Sequence, residues 1–266
     1  MDCGSVTHHL VTWLCRQVRE AGQHGLVIGV SGGIDSAVCS TLCGHTGLPV
    51  TALSLPIHQA PGQLALASEH LTFLDTTFVN VTPRTLDLTL TFDRLTEDLP
   101  EDFRTPLALA NARSRLRMTA LYAAANASSA LVCGTGNKIE DFGVGFFTKY
   151  GDGGVDLSPI GDLVKSEVYE LGAFLGVSEG IRRAAPTDGL WEGSPSDEEQ
   201  IGASYAELEW ALTLQNSHPG LTLQGLQEIP GLSSRQCEVA QLYLRRHLAS
   251  AHKLRMPPIC SLKGVK

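Results

Sequence analysis

The stretch Leu26-Val27-Ile28-Gly29-Val30-Ser31-Gly32-Gly33-Ile34-Asp35-Ser36-Ala37-Val38 constrains the fold more than any other. Leu26 to Val30 is short, rich in β-branched residues and uncharged, the pattern of a parallel strand buried on both faces. Gly32 and Gly33 permit a tight turn and bring backbone N–H groups close to a ligand, since no Cβ intervenes. A helix predicted over 35–43 then points its unpaired N–H groups and positive dipole end at the same place. The stretch reads as a cradle for phosphate, against the plainer alternative of a glycine turn with Ser or Asp capping the helix.

The rest of the chain bounds what such a cradle serves. No Gly-Lys-Ser/Thr follows at Walker A spacing, and the turn is not the Gly-x-Gly-x-x-Gly of dinucleotide-binding folds. At 266 residues the chain suits one large α/β domain, or one with a helical appendage. A net charge of −8 disfavours a nucleic-acid surface and points to a small-molecule partner. The cysteines Cys3, Cys15, Cys39, Cys43, Cys133, Cys237 and Cys260 form no Cys-x-x-Cys pair. Cys39 and Cys43 share a helix face but lack partners at zinc spacing, so reduced core thiols are expected. No apolar run approaches 18 residues, so neither export nor membrane spanning is indicated and a cytoplasmic protein is expected.

In chain order, Val6, Leu10, Trp13, Leu14 and Val18 predict an amphipathic helix over 5–22, with His8 and His9 facing solvent. Strands are expected at Val50–Leu55, Phe78–Val81 and Ala130–Gly134, with helices within 62–74 and from Pro106 to about Ser128. This β-α-β rhythm implies right-handed crossovers and a parallel sheet covered on both faces, with ligand at the carboxyl ends of its strands, near Ser54, Leu55 and Pro56. Residues 84–104 read as an irregular surface link. Arg113, Arg115 and Arg117 cannot all face one site, because alternate helical residues point about 200° apart. The stretch 145–165, rich in Gly, Asp and Lys, is too polar to order itself, so ligand or partner contacts are expected to hold it. Helices are expected over Lys165–Gly176, from Ser196, over 221–229 and over 233–251, with a loop at 186–197 and an extended tail at 254–266.

Ser31-Gly32-Gly33-Ile34-Asp35-Ser36 resembles the PP-loop of ATP pyrophosphatases, which cleave ATP between its α- and β-phosphates. Behind it stand Gly134-Thr135-Gly136-Asn137-Lys138, Phe146-Phe147-Thr148-Lys149-Tyr150-Gly151-Asp152-Gly153-Gly154, Pro159-Ile160-Gly161-Asp162-Leu163 and Ala185-Pro186-Thr187-Asp188-Gly189-Leu190-Trp191-Glu192-Gly193. In this order the motifs resemble the ammonia-dependent NAD+ synthetase family over most of residues 5–258. The resemblance implies an α/β fold, a doubly wound, mostly parallel five-stranded sheet of the adenine nucleotide alpha hydrolase-like class. Residues 1–266 would form one domain, with a helical C-terminal part at about 196–253.

It further implies amidation of deamido-NAD+ with ammonia, through an adenylate, releasing AMP and pyrophosphate. Gly29, Val30, Ser31, Gly32, Gly33, Ile34, Asp35, Ser36, Thr135, Lys165 and Thr187 would contact ATP. Asp35 and Glu140 would bind Mg2+, as hard oxygen ligands. Arg115, Lys149, Asp156, His252 and Lys253 would contact deamido-NAD+, and the chain would form a homodimer. Taken alone, the lysines fit exposed surface, Asp156 a turn, and His252-Lys253 a basic helix end. Asp35 and Asp152 are the candidate catalytic residues, Asp152 as the base that takes a proton from ammonium. Asp141-Phe142-Gly143-Val144 is one residue longer than in familiar members, which leaves the register at Glu140 and Asp141 open by one place. Leu55-Pro56-Ile57-His58 also departs from the commoner Met-Pro-Tyr type. Another PP-loop enzyme, such as an amidotransferase synthetase subunit, or a non-catalytic nucleotide sensor are the competing readings.

Overall fold

A computed structural model describes residues 1–187, 189, 190 and 196–265. Strands β1 (Gly25–Gly29), β2 (Val50–Ser54), β3 (Val81–Thr85) and β4 (Ala130–Cys133) form a sheet in the order β3-β2-β1-β4, every pairing parallel. Side chains alternate across it as the two-residue repeat of a strand requires. Leu26 and Ile28 pack into a core with helices α1 (Cys3–Glu20), α2 (Ile34–His45), α3 (Pro61–Thr77) and α6 (Lys165–Phe174). Val27, Leu53 and Val132 face the other way, towards α4 (Thr89–Asp98) and α5 (Pro106–Ser128). Both faces are thus covered, as an all-parallel sheet demands.

Four strands stand among the described residues where five were expected. Beside β4 the chain makes only one isolated bridge, Cys133 with Leu157, supported by Gly134 N–H to Leu157 O at 2.7 Å. The polar, glycine-rich run before Leu157 leaves too short an extended segment for a fifth strand. The third strand also lies later than Phe78–Val81. Phe78 instead ends α3, donating its N–H to Leu74 O, and its ring meets the edges of His45 and Phe73. Asn80 pins the turn that follows by donating to Gly44 O and Leu48 O. β3 is an edge strand, a setting that tolerates its Pro83.

Residues 84–104 are not irregular throughout, because α4 forms there around the buried Phe92. The helix expected over 221–229 is reduced to a short 3-10 turn, Gly225–Glu228. The remaining helices are α7 (Glu179–Arg183), α8 (Asp197–Ile201), α9 (Tyr205–Ser217) and α10 (Ser234–Ser250). Helices α8 to α10 enclose a second, smaller core with Leu208, Val239 and Tyr243, into which Ile139 and Val144 also pack. Those two residues belong to a π-helical turn, Lys138–Val144, the wide turn that an extra residue produces in a helix. All seven cysteines are free, with Cys39 and Cys43 fully buried in α2. Among the described residues no helix is long and apolar enough to cross a membrane.

Candidate active site

A cavity of about 300 Å3 opens at the carboxyl ends of β1, β2 and β4. Sequence order reverses between β1 and β4, the position where ligands gather in open α/β sheets. Gly29 to Ser36, Thr135, Glu140, Asp152, Lys165 and Thr187 all line it, as do Ser54, Leu55 and Pro56.

The glycine turn is built as its sequence requires. Gly32 has φ of +87°, and a Cβ there would come 2.8 Å from Ala67 N and 2.9 Å from Gln63 O, so both conformation and space demand glycine. Ser36 Oγ donates to Gly33 O at 3.0 Å and accepts from Ser31 N–H at 3.2 Å, while Ser31 Oγ accepts from Gly33 N–H. No side chain caps α2, whose first N–H groups therefore remain directed at the cavity.

Beneath the turn Lys165, only 2 % exposed, bridges two acids. Its Nζ lies 2.5 Å from Asp35 Oδ2 and 2.7 Å from Glu140 Oε1. Asn137 donates to Asp35 Oδ1, and Tyr205 O–H donates to the same Glu140 oxygen at 2.6 Å. Burial pushes the Asp35 carboxyl up, and Glu140 adds to this against the pull of Lys165. Burial also acts to raise Glu140, but Lys165 and the Tyr205 hydrogen bond bring it below the ordinary carboxylate value. The Lys165 ammonium, which burial opposes, is held charged by both acids. Two carboxyl groups face one ammonium here, and carboxylate oxygens are the hard donors that Mg2+ takes, so the donor chemistry fits that ion. Among the described residues no group of three or more His, Cys, Asp or Glu could hold a metal ion, which leaves other coordination positions to phosphate and water.

On the far wall, Asp152 Oδ1 accepts Ser114 Oγ at 2.5 Å and Thr148 N–H at 3.0 Å. Burial raises its carboxyl above the ordinary value, although these hydrogen bonds oppose the rise. Asp141 lines the cavity beside Glu140 and is raised further, by burial first and then by Asp152 and Glu140.

The five residues expected at deamido-NAD+ lie outside this lining. Four of them form one neighbouring group. Arg115 Nε donates to Lys149 O, Lys149 Nζ to His252 O at 2.7 Å, and Lys253 Nζ to Gly145 O and Phe147 O at 2.8 Å. Asp156 accepts from Tyr122 O–H and Val132 N–H, tying its loop to α5 and β4. Hydrogen bonds within the chain thus tie the stretch 145–165 at several points. Of the three arginines, Arg117 reaches the cavity wall, donating to Leu55 O and Gln59 Oε1, whereas Arg113 lies over the Phe92 ring and donates to Leu190 O. Sequence reasoning gave no role to Ser114, Asn137 or Tyr205 and left Arg117 undistinguished among three arginines. Asn137 alone carried a signal, standing directly after Gly134-Thr135-Gly136. Asp188 and residues 191–195, within the Thr187–Gly193 motif and the loop after it, lie outside the described residues.

The parallel sheet, the glycine turn after its first strand and the polar cavity at its carboxyl end define an α/β nucleotide-binding protein of the adenine nucleotide alpha hydrolase-like class. The model of the NAD synthase family matches residues 6–257, and the chain belongs to that family. It is 37 % identical over 259 residues to an NH(3)-dependent NAD(+) synthetase of Carboxydothermus hydrogenoformans, covering 95 % of this chain and 96 % of the relative. Among solved structures, an NMN synthetase from Francisella tularensis matches with TM-score 0.83 and 31 % identity, covering 98 % of this chain and 99 % of that one. An NH3-dependent NAD synthetase from Campylobacter jejuni matches with TM-score 0.76 and 26 % identity, covering 98 % of this chain and all of that one.

Proposed function

We propose that this chain is a C–N bond-forming ligase that amidates deamido-NAD+ with ammonia and ATP, releasing NAD+, AMP and pyrophosphate. The observation that carries the reading is the convergence of the glycine turn, the Asp35-Lys165-Glu140 cluster and Asp152 on one cavity, in a chain of the NAD synthase family.

The chemistry follows from charge. A carboxylate repels an electron-rich nucleophile and offers only oxide as a leaving group. Transfer of AMP to the nicotinate carboxylate removes both obstacles, and ammonia then displaces AMP. Ser31, Gly33 and Ser36, with the uncapped N–H groups of α2, bind the phosphates, and Gly29, Val30, Gly32, Ile34, Thr135 and Thr187 complete the ATP contacts. Lys165 places its positive charge where pyrophosphate negativity develops. Asp35 and Glu140 would hold Mg2+, which when bound neutralises charge on the departing pyrophosphate. Asp152, buried and raised in pKa, takes the proton of ammonium at its carboxylate. Arg115, Lys149, Asp156, His252 and Lys253 contact deamido-NAD+ from the adjoining group.

Residues 1–266 act as one ligase domain, as a homodimer. Cytoplasmic residence is part of the same reading and is supported by seven free thiols.

The test is product analysis with deamido-NAD+ and either ammonium or glutamine. AMP and pyrophosphate formed only with deamido-NAD+ and ammonium support the reading, and ADP formation refutes it. Because one similar structure bears the name NMN synthetase, the mononucleotide acid belongs in the same assay as the second candidate substrate.

A further inference from the structure

No described residue of α10 lines the cavity, yet the C-terminal end of this helix grips the segment leading to the cavity wall. His247 Nδ1 lies 2.8 Å from Gly143 O. A carbonyl only accepts, so this nitrogen carries the proton. The same ring stacks on Tyr243 with the planes 6° apart. Ser250 Oγ donates to Val144 O and Gly145 O, each at 3.4 Å. Gly145 has φ of +66°, and a Cβ there would stand 2.0 Å from Ser250 Cβ, so the backbones approach this closely only because residue 145 lacks a side chain. Lys253 donates to Gly145 O as well and to Phe147 O, and Lys149 returns the contact to His252 O and Arg255 O. Donors thus cross in both directions between two segments about a hundred residues apart.

The gripped segment runs straight into Asp152. Thr148, between Phe147 and Lys149, gives its N–H to Asp152 Oδ1 and its hydroxyl to Asn111 Oδ1. Ser114 of α5 anchors Asp152 from one side, and its other anchor is a backbone whose flanks are fixed by the C-terminal helix. Phe146, one residue inside the grip, is itself part of the cavity wall.

We infer that His247 and Ser250 are positioning residues for the reaction, acting through the Gly143–Lys149 backbone to set Asp152 and the Phe146 side of the cavity. The inference rests on the proton-accepting role proposed above for Asp152. It differs from a merely structural role for α10 because it ties catalysis to the order of one loop, independent of ATP binding at the glycine turn.

The experiment uses the full chain. His247→Phe keeps a ring to stack on Tyr243 but removes the donor, His247→Asn restores an N–H near the place of Nδ1, and Ser250→Ala removes only the hydroxyl. The loss of two donor groups, the His247 N–H and the Ser250 hydroxyl that is shared between two carbonyls, predicts a fall in kcat of about tenfold for the combined His247→Phe and Ser250→Ala variant. The KM for ATP should stay unchanged, and hydrogen exchange of the amides in 146–154 should accelerate by about the same factor as the fall in kcat. His247→Asn should recover most of both. Wild-type kcat in the combined variant, or a fall in kcat with wild-type exchange in 146–154, overturns the inference, and Ser250→Ala alone provides the same comparison if the double variant folds poorly. A fully active Asp152→Asn enzyme would remove the role of Asp152, whereas the exchange measurement tests the grip without reference to it.

Discussion

Replacing Lys165 with Met should expose the cost of the cluster it bridges. The substitution keeps most of the apolar stem but removes the ammonium that bridges Asp35 and Glu140, at 2.5 and 2.7 Å, from a site where the lysine is 2 % exposed. Removing one partner from a buried ion pair leaves uncompensated charge and costs about 3–5 kcal/mol. With an unfolding entropy of about 2.1 cal/mol/K per residue, a loss of about 4 kcal/mol lowers the Tm of a 266-residue chain by about 7 °C. The deficit has a sign in pH. Burial already raises Asp35, and without Lys165 only the Asn137 hydrogen bond still opposes that burial and the repulsion by Glu140. The folded variant then binds a proton that the unfolded chain releases, so its stability rises as pH falls from 8 towards 5.5. Thermal melts at these two pH values, with and without MgCl2, provide the assay. Mg2+ should restore part of the variant's loss by supplying charge between the same carboxylates, while moving wild type little. A drop below about 2 °C at pH 8, or a deficit that grows on acidification, refutes the reasoning.

Three further outcomes follow from the geometry. Gly32→Ala meets both an unfavourable φ and the Ala67 and Gln63 backbone, so it should cost about 2 kcal/mol or more in urea unfolding and raise the KM for ATP at least tenfold. Asp152→Asn should lower kcat about 100-fold. The wild-type rate should fall as pH drops through the raised Asp152 value, and the Asn variant should lose that acid limb in a pH–rate profile. His70, 2 % exposed and bonded to Ser40 Oγ, is held by burial at about 4 instead of 6.5. Between those values the unfolded chain binds a proton that the fold refuses, so stability falls by about 3 kcal/mol as pH drops from 6.5 to 4. Urea titrations of His70→Gln across that range should show this part of the slope removed.

The sequence displayed the cavity wall better than the supports behind it. Gly29 to Ser36 was legible because an apolar strand, two glycines and a helix start follow each other locally, and each element forms there. Thr135, Glu140, Asp152, Lys165 and Thr187 entered through ordered motifs, and all five reach the same cavity. Their holders were hidden because the contacts are tertiary. Tyr205 reaches Glu140 across 65 residues, and Asn137 reaches Asp35 across 102. Arg117 could not be told from its neighbours by periodicity, which limits how many arginines face inward but not which. The third strand was misplaced because Phe78 and Val79 look apolar, although the first packs on helices and the second projects into solvent. α4 escaped notice because only Phe92 of its own residues is buried, while Leu90 and Leu95 are exposed.

The two acids at Lys165 adjoin different hydrophobic cores. Asp35 follows Ile34 of the sheet's core, whereas Glu140 follows Ile139 of the smaller core made by α8 to α10. The cavity is consequently a seam, and the lysine is the bolt across it. A local opening confined to the smaller core would part that seam while leaving the four strands paired.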